Sequence, residues 1–134
     1  MSKERKKLVK ELDDVFSKYV RARDKCSVFS GSTENLQCFH IFSRVSYSTR
    51  WDVNNAFAST AKENLLYEHD AKWQHDVHTW YIEKFGQQAF DLMHYKWHKT
   101  TKFTDADLKL MTDDFKLKLK VLEAKNKLRG EEEV

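Results

Sequence analysis

Between Leu36 and Asn64 the chain reads LQCFHIFSRVSYSTRWDVNNAFASTAKEN. Five residues of this stretch, His40, Arg44, Arg50, Asn55 and Asn64, are of types that suit phosphodiester hydrolysis. Cutting such a bond with water requires a base to take the proton and a cation to hold the phosphate and its leaving oxygen. Imidazole titrates near neutrality and is the natural base. Asparagine can orient that ring or offer a neutral oxygen to magnesium. Arginine clamps phosphate through two parallel N–H donors. Residue types alone make this a weakly specific signal, because lone His and Asn side chains are common.

The surrounding pattern indicates which elements must position these residues. Leu8, Leu12, Val15, Phe16, Tyr19 and Val20 repeat at helical spacing and predict an amphipathic helix over Lys3–Asp24. Lys6, Lys10 and Arg21 lie on its polar faces, either solvated or in contact with phosphates. Cys26–Asn35 is rich in Ser, Gly, Thr and Asn and reads as a loop. Leu36–Arg44 suits a strand, Ser46–Asn54 an irregular connection, Asn55–Ser59 a second strand, and Thr60 to about Tyr67 a helix. Further helices are expected over Ala71–Phe85, stopped by Gly86, and from Gln87 to about Lys99. Thr104 and Asp107 make a capping-box-like start to a last helix reaching about Leu128. Its stripe of Leu108, Met111, Phe115, Leu119 and Leu122 is widened by Leu110, Leu117, Val121 and Leu128. A face that broad calls for more than one neighbour, the first helix or a second subunit.

The expected class is therefore α+β, mostly helical, in one domain over residues 1–134. It comprises a basic N-terminal helix (1–25), a ββα core (26–70) and a helical C-terminal part (71–130). Charged residues make up 34% of the chain, and no apolar run approaches the roughly 20 residues that span a bilayer. The basic start becomes an amphipathic helix rather than an apolar signal core, so a cytoplasmic, non-membrane protein is expected. Two cysteines, Cys26 and Cys38, do not make a disulfide framework. A net charge of +3 permits nucleic-acid binding without demonstrating it.

The segments QCFHIFSR, YSTRWDVNN and the interval to KEN resemble the HNH endonuclease superfamily, and within it the phage NinG/Rap branch of recombination nucleases. The similarity extends to RARDKC, YIEKFG and KFTDADLKLM and so covers most of the chain. It implies a ββα-metal core and cleavage of branched or junction DNA using Mg²⁺ or Mn²⁺. It also implies a phage-encoded protein working inside a host cell, and two-fold dimers would suit a junction cutter. His40 falls on the family's general base, Asn55 on its middle asparagine and Asn64 on the last polar position, which faces the metal. Arg44, Arg50 and Asp52 also match the pattern. DNA contacts are expected at Arg44, Arg50, Lys6, Lys10 and Arg21, and His69 or Glu68 could join Asn64 at the metal if its helix turns them inward.

The departures are specific. The family's structural zinc takes two pairs of soft ligands. Cys26 occupies the first position, but Phe29, Thr60 and Glu63 occupy the others. The expectation is that structural zinc is absent and that Phe29 replaces it by apolar packing, with Cys38 a small buried hydrophobe. Phe39 stands where the branch has glycine or relatives have a metal-binding aspartate, and strand alternation should point it away from His40. Tyr67 takes the position of a histidine. The second reading is a catalytically degenerate HNH fold that binds DNA or protein. His94/His98 and His75/His78 have helical metal-pair spacing, but are expected to be solvated or at the core edge. Trp73, Trp80 and Trp97 are expected in the core rather than on bases.

Overall fold

A computed structural model describes residues 1–132. The protein is α+β, 65% helical, with one two-stranded antiparallel sheet. The elements in order are α1 (Lys3–Asp24), β1 (Leu36–His40), α2 (Tyr47–Arg50), β2 (Ala56–Thr60), α3 (Ala61–Tyr67), α4 (Ala71–Phe85), α5 (Gln87–Trp97) and α6 (Asp105–Glu132).

Local chemistry sets most of these boundaries. Ser2 caps α1 by accepting from the Arg5 N–H, and Asp70 caps α4 by accepting from the Trp73 N–H. Thr60 and Glu63 form a reciprocal capping box on α3, and Thr104 and Asp107 exchange the corresponding bonds at the start of α6. Gly86, at φ 97°, separates α4 from α5 in a conformation that a side chain would strain. Two expected boundaries need correction. The first strand ends at His40 rather than Arg44, and the polar segment after it contains the short helix α2. Both differences arise because the chain after His40 turns back and bonds to Asn55 instead of extending the ladder.

The hairpin is covered on both faces. In β1 and β2, Leu36 lies opposite Thr60 and His40 opposite Ala56. Cys38 and Ala56 join a core formed by α1 and α6, including Leu12, Phe16, Val20, Leu108 and Phe115. Phe39 and Phe57, one position along, join a second core with Val77 and Tyr81 of α4. This is the alternation expected of strands, with the two residue sets on opposite faces. Arg23 and Asp24 fasten the end of α1 to β2. The Arg23 guanidinium donates to the Val53 and Ala56 carbonyls at 2.8 and 2.7 Å, and the Asp24 carboxylate accepts from the Ala58 N–H at 2.8 Å.

Helices α1 and α6 run parallel. Arg5 bonds to Asp105, Lys116 to Glu11 and Asn126 to the Ala22 carbonyl, in the same order along both helices. Among the described residues, no helix is long and apolar enough to cross a membrane.

Leu108 is fully buried between these helices, whereas Leu92 on α5 is 57% exposed. Leu108→Ala should cost about 2–5 kcal/mol in urea unfolding, and Leu92→Ala less than about 0.5 kcal/mol. Equal effects would contradict the packing described.

Candidate functional site

An open cleft of about 530 Å³ lies between α1, β1 and α3, lined by Asp14, Arg21, His40, Arg44, Asn64 and Glu68 among others. His40 forms part of its floor at the end of β1, its ring stacked on Phe16 with centroids 6.1 Å apart. Its Nε2 lies 2.8 Å from the Arg50 carbonyl. A carbonyl oxygen only accepts, so Nε2 carries the proton, and in the neutral ring Nδ1 holds the lone pair. Burial pulls the imidazole below its ordinary value of 6.5, outweighing the Arg50 carbonyl bond, which acts in the opposite direction. The ring is therefore held in one tautomer and is neutral at physiological pH.

Asn55 is fully buried and uses three hydrogen bonds to hold the chain that follows His40. Its Oδ1 accepts from the Phe42 N–H at 2.9 Å. Its Nδ2 donates to the Phe42 carbonyl at 2.9 Å and to the Thr49 carbonyl at 3.0 Å. The Asn55 carbonyl accepts from the Ile41 N–H at 2.9 Å. Thr49 immediately precedes Arg50, so Asn55 sets the position of the carbonyl that holds His40. It acts on the loop rather than on the imidazole.

Asn64 lies on α3, lines the cleft and donates from Nδ2 to the Gln37 side chain at 3.0 Å. This bond directs no proton to its Oδ1, which keeps acceptor capacity for a hard cation. Glu68, at the end of the same helix, adds a carboxylate to the lining. His69 does not join them. It lies beyond α3, exposed and 3.8 Å from Glu68, and is not part of the cleft lining. Among the described residues, no three His, Cys, Asp or Glu side chains converge as a metal-ligand group.

The basic residues divide into two kinds. Arg44 is exposed at the rim of the cleft, and Arg21 lines it while its Nε bonds to Ser17. Arg50, by contrast, is committed within the fold. Its guanidinium pairs with both carboxylate oxygens of Asp13 at 3.0 and 2.6 Å, donates to the Arg44 carbonyl and stacks on Trp51. Asp13 also accepts from the Trp51 indole at 2.9 Å. The expectation that Arg50 grips phosphate is therefore replaced by a framework contribution, since a doubly bonded, half-buried pair is costly to open. Lys6 lies outside the cleft lining, and Lys10 pairs with Asp14 at 2.8 Å. Asp52 accepts from the Asn54 N–H in a turn.

Of the two neighbouring aspartates on α1, Asp13 is engaged by Arg50 and Trp51, whereas Asp14 is exposed and pairs with Lys10. Asp13 follows Leu12 at the edge of the apolar stripe, which is the sequence signal that it faces inward. Cys38 also lines the cleft, but loss of hydration pushes its thiol up to about 12, so it remains a protonated, unreactive group.

The segment where the resemblance would place a zinc knuckle is held by aromatic packing and hydrogen bonds. Phe29 packs edge-on against Phe39, Trp73 and Trp80, with centroids 5.0–5.3 Å apart. The Ser27 hydroxyl accepts from the Phe29 and Ser30 N–H groups and donates to Glu63 at 2.6 Å. Burial pushes the Glu63 carboxyl upward. The bonds from Ser27 and Thr60 together overcome that and hold it below its ordinary value. One cysteine with these neighbours does not fit a tetrahedral thiolate site.

Two outcomes follow. Asn55→Ala strands the Phe42 and Thr49 backbone groups and should cost about 2–4 kcal/mol by urea unfolding, against less than about 0.5 kcal/mol for Asn64→Ala. Treatment with EDTA should leave the thermal midpoint unchanged within a degree; a fall of several degrees would reveal a structural metal.

No family model, curated protein or solved structure matches the chain.

Proposed function

We propose that this chain is a metal-dependent DNA endonuclease of HNH type, with β1, β2 and α3 as its ββα-metal core. Branched or recombining DNA of the NinG/Rap kind would be its substrate, and a phage-encoded role in the cytoplasm of a host cell its setting. The observation that carries the reading is the His40–Arg50 carbonyl bond within a cleft that also presents Asn64, Arg21 and Arg44. It supplies what water activation needs, a neutral imidazole fixed in one tautomer with Nδ1 as the proton acceptor.

His40 would take the proton from water, while Arg44 and Arg21 contact phosphate oxygens. Asn55 would act as a positioning residue through the loop it clamps. A bound Mg²⁺ or Mn²⁺ would stabilise charge on the scissile phosphate and its leaving oxygen. The cleft's hard donors that fit such an ion are the Asn64 amide oxygen and the Glu68 carboxylate. The alternative, a degenerate HNH fold that only binds DNA or protein, is favoured by Phe39. Its buried ring stands where relatives carry a metal-binding aspartate.

The deciding experiment incubates the protein with linear and four-way-junction DNA, with Mg²⁺ or Mn²⁺. Cleavage should fall about 10²–10⁴-fold in His40→Ala while binding persists; binding without cleavage in either metal would establish the alternative. The acid limb of the rate profile should lie below pH 6.5, because the proton acceptor is neutral only above its lowered value. The same shift makes the His40 contribution to stability complete above pH 6.5, and it is lost as pH falls toward the folded-state value. An acid limb above pH 7 would exclude His40 as the base.

A further inference from the structure

Helix α6 buries one stripe against α1 and leaves another uncovered. Leu110, Leu117, Val121 and Leu128 are 68%, 62%, 49% and 59% exposed. With Asp114 and Ala124 they occupy positions 110, 114, 117, 121, 124 and 128, so the steps alternate four and three residues. That is the a/d spacing of a coiled-coil seam. It follows one line down the helix for about 27 Å at 1.5 Å per residue. Residues 105–115 carry four aspartates and one lysine, and residues 116–132, to the end of the helix, carry six basic residues and three glutamates. The polarity persists when Asp105 and Lys116, which pair with α1, are set aside.

We propose that this seam is the interface with a second copy of the chain, the two α6 helices crossing antiparallel about a two-fold axis between Leu117 and Val121. Antiparallel pairing sets the acidic half of each helix against the basic half of the other, whereas parallel pairing would place like charges side by side. In this register Leu117 meets the partner's Val121, Leu110 meets the partner's Leu128, and Asp114 meets the partner's Ala124. Asp114 already pairs with Lys118 at 2.8 Å, so its place in the seam is not that of an isolated charge. It specifies register, as single polar seam residues do. The interface follows from α6 alone and does not depend on the endonuclease reading.

Sedimentation and light scattering across a concentration series should show a dimer for the wild-type chain. The Leu117→Lys/Val121→Lys variant should be monomeric with unchanged helix content, which separates loss of the interface from loss of the fold. Lys118→Glu/Lys125→Glu should weaken dimerisation by about tenfold or more, with the loss largest at low salt. In a Cys26→Ser/Cys38→Ser background, Asp114→Cys/Ala124→Cys should form an intermolecular disulfide on oxidation. Ala124→Cys alone should not. A monomer at all concentrations, or a dimer indifferent to Leu117→Lys/Val121→Lys, would overturn the interface. Efficient cross-linking of Ala124→Cys alone would overturn its antiparallel direction.

Discussion

The buried amide of Asn55 is the interaction on which the organisation of the cleft depends. Its three bonds tie the end of β1 to the turn of α2, two segments with no ladder of their own between them. In the interior, each of these bonds replaces water that cannot reach the site, so leaving any partner unmade would be costly. The consequence extends beyond stability. By locating Thr49, Asn55 also locates the neighbouring Arg50 carbonyl, and that carbonyl decides which nitrogen of His40 carries the proton. The residue that determines the tautomer is thus two steps removed from the ring.

Helix α1 contributes to the site as more than a packing surface. Phe16 supplies the face on which His40 rests. Asp13 holds the Arg50 side chain and the Trp51 indole while the Arg50 carbonyl faces His40. The Arg50 side chain and backbone therefore support the site in different ways, one fixing α2 to α1 and the other orienting the imidazole. This division explains why an arginine ten positions after a histidine need not be available to a phosphate. At the far end of α1, Arg23 and Asp24 bind the other edge of the hairpin, so one rigid helix spans the sheet and limits how β1 and β2 can shift.

The loop between α1 and β1 is stabilised by contacts reaching Glu63 on α3 and the aromatic side chains of α4. Aromatic edges around Phe29 supply apolar contact, and the Ser27–Glu63 bond supplies a charge-assisted link across the loop. Such bonds are stronger than neutral ones, and here the carboxylate also closes the capping box of α3. Loop, strand and helix are joined through a single side chain. Phe39 belongs to the same aromatic group, so the residue next to His40 serves the core on the opposite face of the strand.

Local signals in the sequence determined every helix except the one-turn α2, because their information is short-range. The periodic stripe of α1, the Gly86 stop and the Thr104–Asp107 cap all act within a few residues. Alternation was equally legible and separated Phe39 from His40. The tertiary structure alone decided what the polar residues touch. Arg50 and Arg44 lie six positions apart and have the same chemistry, yet Asp13, 37 positions from Arg50, engages one guanidinium while the other remains exposed at the cleft rim. His69 was likewise a ligand candidate that the resemblance implied if its helix turned it inward, but the end of α3 leaves it outside the cleft. Hydrogen bonds and burial between distant segments depend on how the chain closes in space, and sequence spacing carries no direct record of that closure.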